Sequence, residues 1–538
     1  MRLELIKYPS IGRSMYVIYP DGDRLCCYEN TMVTVLREDD RIEPLQALVR
    51  NEAFCALANR QRLVLLFPNP EKGWNPDPNG KDMADVAEMI RLFNYQPSFV
   101  DCGIYHNMHN ARYFAGFGSG GALAQSFAAS RCENVAGIIT YGSEICEAAK
   151  EASLDTPVSA ILWNCGNETA DFFRQLNKTD ITQGNTAKNS VNGAQFVTEL
   201  HTEDAPDLAK LLTNGWELLF SKVCRPNTGD NGVMDYRLVR DDYQFIVHEN
   251  DPLGDNGNIG HVWFEYVPQC VKDDPAKKVP LMIFCHGGAD TPGNMANTSK
   301  LHQLAEKEGF LLVYPWSTNR WSWNMDMLGS MYDDVAYLDA LIEHMKRTYA
   351  VDETRIYMAG FSNGSAMSQV FAMVHPEKVA AVFANNTRFA QDRNTKPFAI
   401  AGAKKLQQDF RMPVWYVYGT RDYEYPAVRG SGQQIAYDFW KSYNNITCKE
   451  TPYTGTPGCD AGVEGDVVEV RYPNPQFPDR KIVSHRFFSN DPKPLNLYNY
   501  TLVYGKGHDS NPEDGVLAWE FIRKFRRAAD GSLIITEE

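Results

Sequence analysis

Residues 115–128 read AGFGSGGALAQSFA and residues 359–372 read AGFSNGSAMSQVFA, eight identities in fourteen positions at a constant offset of 244. Average amino-acid usage gives about one identity by chance in such a window. The flanks repeat in the same order. IGRSMYVIYP from Ile11 matches IGHVWFEYVP from Ile259, LVLLFP ending at Pro68 matches LLVYP ending at Pro315, and WELLFSK from Trp216 matches WEFIRK from Trp519. A duplication constrains the fold more than any single motif, because it sets the size and order of the unit that must close a core. The chain therefore reads as two copies of one fold, expected as domains 1–225 and 226–538, joined near the linker-like stretch PNTGDNG at 226–232.

Length agrees, since 538 residues exceed the roughly 250–300 that one core supports. With 43% hydrophobic and 22% charged residues, wholesale disorder and fibrous repeats are excluded. A net charge of −15 supplies no positive field for phosphates or anionic lipid, so no nucleic-acid or membrane partner is expected. No apolar run reaches the roughly 18 residues of a membrane span, and MRLELIKYPSIGRS has no basic-then-apolar secretory pattern, so a cytoplasmic protein is expected. The twelve cysteines are scattered and form no C-x-x-C pair, which predicts reduced thiols.

In the second copy, short apolar runs alternate with helical patterns. PLMIFC (280–285) and FLLVY (310–314) suit strands buried on both faces, with a helix over 295–308 between them. From Asp333 to Tyr349, Val335, Leu338, Leu341, Ile342 and Met345 fall on one helical stripe, with acids at the start and Lys346 and Arg347 at the end. Strands at 355–359, 379–384 and 413–418 and a helix at 365–374 complete the alternation. The expected fold class is α/β, a doubly wound, mostly parallel sheet.

Gly360-Phe361-Ser362-Asn363-Gly364 lies between a strand and a helix. A sharp turn there lifts the Ser362 hydroxyl above the sheet, and glycines two before and two after prevent collisions. Cys285-His286-Gly287-Gly288 follows the PLMIF strand, where a loop must lie if its amides are to face the serine. The oxyanion donors are then the N–H groups of Asn363 and of Gly288 in the Gly287-Gly288 turn. The alternative is a tight turn with His286 merely packed. Asp422 closes the Gly419-Thr420-Arg421-Asp422 stretch that follows the strand 414–418, and His508 follows the apolar run YTLVY. Ser362, Asp422 and His508 stand in the chain order of α/β-hydrolases, each just past a strand, so His508 is read as general base and acid and Asp422 as its orienting carboxylate.

The stretch from about Pro280 to His508 resembles the esterase family that groups poly(3-hydroxybutyrate) depolymerases with feruloyl and acetylxylan esterases. The residues that carry the resemblance are the HGG loop, RWSWN at 320–324, the DDVAYL helix, VDETRIYMAGFSNGSAM at 351–367, GTRD and GKGH. It implies hydrolysis of carboxylic esters through an acyl-serine, without metal or organic cofactor. The sequence departs from that pattern at about 445–490, a β-rich insertion able to cover the acyl pocket.

In the first copy, Gly118 takes the place of Ser362, so no nucleophile is present; Ser119 is one residue late and would put Phe117 where the turn needs a tiny residue. Arg37-Glu38-Asp39-Asp40 replaces the glycine loop, while Glu168 and His201, near the places of acid and base, read as surface residues. The first copy is therefore expected to be an inactive hydrolase-like domain that packs against the second as scaffold, caps the entrance to its site or binds part of a larger substrate, three roles left open together with the oligomeric state. Trp316, Trp321, Trp323, Tyr423 and Tyr425 supply aromatic surface near the site; His286, Trp316, Trp321, Trp323 and Tyr423 are the candidate substrate-binding residues. The expected substrates are feruloyl, hydroxycinnamoyl or acetyl esters of xylan-derived saccharides, as in polysaccharide degradation. The alternatives are hydroxyalkanoate oligomers or polymers, a peptide bond, or a scaffold with no activity.

Overall fold

The computed structural model describes residues 1–22, 26–94, 110–132, 135–225, 234–253, 260–325, 329–386, 402–404, 406, 410–422, 432–447, 449–450, 463–473 and 480–536. The chain divides into two compact units, Met1–Tyr243 and Gln244–Glu538. The division falls later than the expected 225/226 boundary. Arg237 is the reason: its guanidinium is buried and donates to Glu29, to Thr31 Oγ1 and to the Phe220 carbonyl, which ties residues 234–243 to the first unit. A buried guanidinium needs that complete set of acceptors. The stretch 226–232, expected as the linker, lies outside the described residues.

In the first unit, β1 (Arg2–Tyr8), β2 (Arg13–Tyr19), β3 (Thr31–Leu36), β4 (Leu63–Pro68), β5 (Arg112–Phe117), β6 (Gly137–Tyr141), β7 (Ala160–Trp163), β8 (Ile181–Gln183), β9 (Thr186–Lys188) and β10 (Phe196–Leu200) form a sheet. Its order is β1-β2-β4-β3-β5-β6-β7-β10-β9-β8. The second unit contributes β11 (Ile246–Pro252), β12 (Gly260–Tyr266), β13 (Val279–Cys285), β14 (Leu311–Pro315), β15 (Val351–Phe361), β16 (Ala381–Asn385), β17 (Val414–Gly419), β18 (Val467–Arg471), β19 (Ile482–Phe488) and β20 (Asn496–Val503). Their order, β11-β12-β14-β13-β15-β16-β17-β20-β19-β18, follows the same path position by position. The central pairs are parallel and the edges antiparallel. Central strands such as β13 and β17 are buried along their whole length, because helices cover both faces.

The α/β alternation agrees with the sequence, with three adjustments. The helix expected over 295–308 is two, Pro292–Ser299 and Leu301–Glu308, broken at Lys300, whose φ of 49° is left-handed. There Ser299 Oγ bonds back to the Met295 carbonyl and accepts from the Leu301 N–H. The strand expected at 355–359 runs over Val351–Phe361. Within the 445–490 insertion, β18 and β19 extend the sheet beyond β20, and Lys449–Glu450 pairs with Val463–Glu464 as a separate two-stranded ribbon. None of the described cysteines is in a disulfide, and no helix of the described residues is long and apolar enough to cross a membrane.

Candidate active site

Strand β15 enters the helix Asn363–Val374 through Ser362, at φ 50° and ψ −120°. A serine at a helix N-cap ordinarily turns its hydroxyl onto the first-turn amides; these dihedrals aim it elsewhere, and no such cap bond forms. A Cβ on Gly360 would strike the Gly364 backbone, and one on Gly364 would strike the carbonyls of Cys285 and His286. Both glycines are thus required by close backbone approach.

The freed hydroxyl meets His508. Ser362 Oγ lies 2.8 Å from His508 Nε2, and His508 Nδ1 lies 2.7 Å from Asp422 Oδ2. The Asp422 side chain is fully buried and that of His508 is 22% exposed, so the acid is screened while the imidazole edge remains reachable. Since Nε2 accepts from the hydroxyl, Nδ1 carries the ring proton and donates it to Asp422.

A buried ammonium fixes the histidine loop. Lys506 Nζ donates to Asn385 Oδ1 at 3.0 Å, Asn386 Oδ1 at 3.1 Å and Asp514 Oδ2 at 2.6 Å, with lysine and aspartate side chains 0% and 1% exposed. Asn386 Nδ2 donates to the Gly507 carbonyl, and the Lys506 carbonyl accepts from the Arg421 N–H, so the loop of His508 is strapped to that of Asp422. Asp514 also caps the helix Pro512–Ile522 with Asn511. The sequence reading missed this brace. No sequence signal marks it, because its acceptors Asn385 and Asn386 lie 121 and 120 residues away in the chain.

Gly287 and Gly288 lie against the nucleophile turn. A Cβ on Gly287 would come 2.9 Å from the Phe361 ring and 3.5 Å from Ser362 Cβ, and one on Gly288 would lie 3.8 Å from Asn363 Cβ. Asn363 opens its helix, where backbone N–H groups have no intrahelical acceptor. The expected oxyanion donors are therefore brought to one place.

Most of the expected substrate contacts are corrected. His286 is fully buried, with Nε2 accepting from the Ser317 N–H at 2.9 Å and Nδ1 2.5 Å from the Gly287 carbonyl. Both ring nitrogens are engaged within the protein, so it braces the loop. Trp316 is buried and donates to the Asp290 carbonyl; Trp323 is buried, its indole N–H donating to the His286 carbonyl at 2.8 Å and its backbone N–H to Asn363 Oδ1 at 2.7 Å. Side-chain direction, which composition does not carry, decides these cases. Trp321 remains half-buried beside the loop, its carbonyl accepting from the Ala289 N–H. Tyr423 and Tyr425 lie outside the described residues.

Asp334 was read only as a helix-start acid. Its carboxylate accepts from Thr318 and from the Asn324 N–H, so it pins the tryptophan segment. Burial pushes its pKa up to about 6 against those bonds, with Asp333 adding to the rise.

The first unit has a matching turn with different chemistry. Leu36 pairs with Gly116 as Cys285 pairs with Gly360, which puts Glu38 at the position of Gly287. Gly118 has φ 48°, and a Cβ there would collide with the Glu38 carboxylate. The same carboxylate accepts from the Ser119 N–H at 3.3 Å. Trp74 repeats the bonding of Trp323, donating from its indole to the Arg37 carbonyl at 2.5 Å and from its backbone to Ser119 Oγ at 3.3 Å. Glu168 is 76% exposed and paired with Lys150, and His201 is exposed, so neither is drawn into a triad.

Residues 265–393 match the family profile described as esterase PHB depolymerase. A bifunctional acetylxylan esterase/xylanase of Neocallimastix patriciarum is 27% identical over 260 residues, 46% of this chain and 32% of that protein. A feruloyl esterase B of Neurospora crassa is 28% identical over 119 residues, 21% of this chain and 39% of that protein. The chain thus spans between a third and two-fifths of the length of these curated relatives. Among solved structures, an acetyl xylan esterase from Aspergillus awamori aligns over 52% of this chain and 99% of its own, at 14% identity and a TM-score of 0.37.

Proposed function

We propose that the chain is a serine carboxylester hydrolase working through an acyl-serine, on hydroxycinnamoyl or acetyl esters of xylan-derived saccharides. The observation that carries this is the unbroken line from Ser362 Oγ to His508 Nε2, 2.8 Å, and from His508 Nδ1 to Asp422, 2.7 Å, behind a serine held at positive φ. His508 takes the hydroxyl proton as Ser362 attacks the ester carbon, and Asp422 stabilises the resulting imidazolium. The oxyanion is held by the amides of Asn363 and Gly288. As the tetrahedral intermediate collapses, His508 returns the proton to the departing alcohol oxygen; it then activates a water that releases the acid.

The substrate class is supported by the names of the relatives, acetylxylan and feruloyl esterases. The half-buried Trp321 offers a face for an aryl group or sugar ring. A hydroxybutyrate ester is the second reading, favoured by the profile matched at 265–393. The first unit, in this reading, is an inactive copy of the same fold, supported by the repeat at offset 244 and by the shared strand order.

The test is fluorophosphonate labelling with a panel of methyl ferulate, p-nitrophenyl acetate and hydroxybutyrate oligomers. A covalent adduct lost in Ser362→Ala, with turnover of either of the first two esters, is the expected result. Turnover of the oligomers alone moves the substrate to the second reading, and labelling that persists in Ser362→Ala removes the proposed nucleophile.

A further inference from the structure

Outside the triad, three side chains from three elements of the second unit converge: His248 of β11, Glu265 of β12 and His344 of the helix Asp334–Thr348. One ligand atom from each lies within 4.8 Å of the others. We propose that His248, Glu265 and His344 form a binding site for a single zinc-class divalent metal ion that staples the β11–β12 hairpin to this helix.

The distances have the scale of a coordination sphere. His248 Nε2 is 3.2 Å and His344 Nε2 3.4 Å from Glu265 Oε1. A tetrahedral ion with bonds of about 2.0–2.1 Å separates neighbouring ligand atoms by about 3.3 Å. Direct hydrogen bonding satisfies the cluster less well. Oε1 already accepts from the Trp263 indole at 2.7 Å, and the buried His248 Nε2 makes no hydrogen bond of good geometry. Two imidazole nitrogens thus face one carboxylate oxygen that is already engaged.

The surroundings hold each ligand in place. His248 Nδ1 lies 2.5 Å from Asp251 Oδ2, and a break in register between His248 and Asp251 lets that carboxylate reach back. A histidine whose second nitrogen donates to a carboxylate has its other lone pair fixed for a metal. Glu265 Oε2 accepts from the Tyr349 hydroxyl at 2.8 Å. The Trp263 indole sets both rings: His248 stacks on it at 4.1 Å and 8°, and His344 meets it nearly edge-on at 5.4 Å and 73°. The Glu265 side chain is 1% exposed while those of His248 and His344 are 18% and 26% exposed. The carboxylate is therefore in the interior, and the imidazoles lie nearer the surface, where water can serve as the fourth ligand of the ion. Two neutral imidazoles and one carboxylate suit a borderline-soft cation better than magnesium or calcium, which prefer oxygen.

The full chain, stripped with a chelator, is titrated with Zn2+ in a calorimeter, and bound metal is counted by elemental mass spectrometry. One ion per chain is expected, with a raised thermal midpoint. His344→Gln should weaken zinc binding at least about 100-fold, and Asp251→Asn, which leaves the three ligands in place, by about 10- to 100-fold. Ser362→Ala should bind zinc as the parent does, since the two sites share no residue. No zinc binding below about 0.1 mM, or affinity and stoichiometry unchanged in both His344→Gln and Asp251→Asn while circular dichroism shows each folded, overturns the site.

Discussion

The turns at Gly118 and Ser362 share a positive φ, 48° and 50°, and each is braced by a tryptophan that donates to the carbonyl of the loop facing it. They differ in what fills the space above. In the second unit Gly287 and Gly288 place no side chain there; in the first, the Glu38 side chain occupies it and the Ser119 amide is spent on that carboxylate. The strained turn therefore does not depend on the nucleophile. It belongs to the packing of strand, helix and facing loop, and what sets the second unit apart is a hydroxyl in line with an imidazole.

The largest effect expected follows from this directly. Ser362→Ala should lower kcat on the order of 10⁶-fold, as in other triads, whereas Ser119→Ala should leave kcat unchanged. Steady-state hydrolysis of p-nitrophenyl acetate compares the two. The comparison breaks if Gly118→Ser, alone or with Glu38→Gly, yields turnover in a Ser362→Ala background. We expect none, because Glu168 is turned to Lys150 and His201 to solvent.

The next effect concerns the strap behind the histidine. Lys506→Met leaves Asp514 buried without its cation, and removing one partner of a buried pair costs about 3–5 kcal/mol. Thermal denaturation should show the second unit weakened by that order. In whatever fraction stays folded, kcat should fall while fluorophosphonate labelling of Ser362 slows, since the proton acceptor is no longer held. Unchanged labelling kinetics would falsify the positioning role of Lys506.

The tryptophans sharpen the comparison further. Trp323→Phe and Trp74→Phe each remove one indole N–H from a buried carbonyl, a loss of about 1–3 kcal/mol apiece. Only Trp323→Phe should also lower kcat, because the segment it holds faces the nucleophile turn. Equal effects on kcat would mean that the first unit takes part in the reaction.

What the sequence disclosed about these residues has a physical boundary. Gly360, Ser362 and Gly364 were legible because a turn this tight tolerates few side chains, and Asp422 and His508 because chain order and strand ends place them on one rim. The direction of a side chain was not legible. His286, Trp316 and Trp323 point inward because backbone carbonyls and the Ser317 amide await them there, and those partners lie 26 to 37 residues away in the chain. The Trp74–Trp323 correspondence was obscured by a change of offset, as W-N-x-D and D-V-A recur at 74–77 and 85–87 and at 323–326 and 334–336, 249 residues apart rather than 244. The histidine cluster with Glu265 left no spacing signature, since its members lie on two strands and a helix.

The smallest effect is a difference in sign. Asp85 and Asp334 occupy the same place in the two D-V-A segments. Asp334 faces backbone amides and Thr318, with no cation paired to it among the described residues, and burial pushes its pKa up to about 6. Asp85 is held by Lys81 and Arg13, which outweigh its own burial and lower its pKa. A raised native pKa means that the folded state holds the proton more tightly than the unfolded one, so the contribution of Asp334 is full below about pH 4 and is lost as pH rises through about 6. A lowered native pKa reverses this: the contribution of Asp85 is present above about pH 4 and lost as pH falls through its folded value. Denaturant unfolding should therefore show the cost of Asp334→Asn shrinking by on the order of 1 kcal/mol as pH rises from about 4 to about 7, while the cost of Asp85→Asn stays nearly level over that range and shrinks only as pH falls below about 4. Parallel slopes for the two variants would mean that the paired cations in the first unit, and the bare amides in the second, do not set the affinity of these two carboxylates for protons.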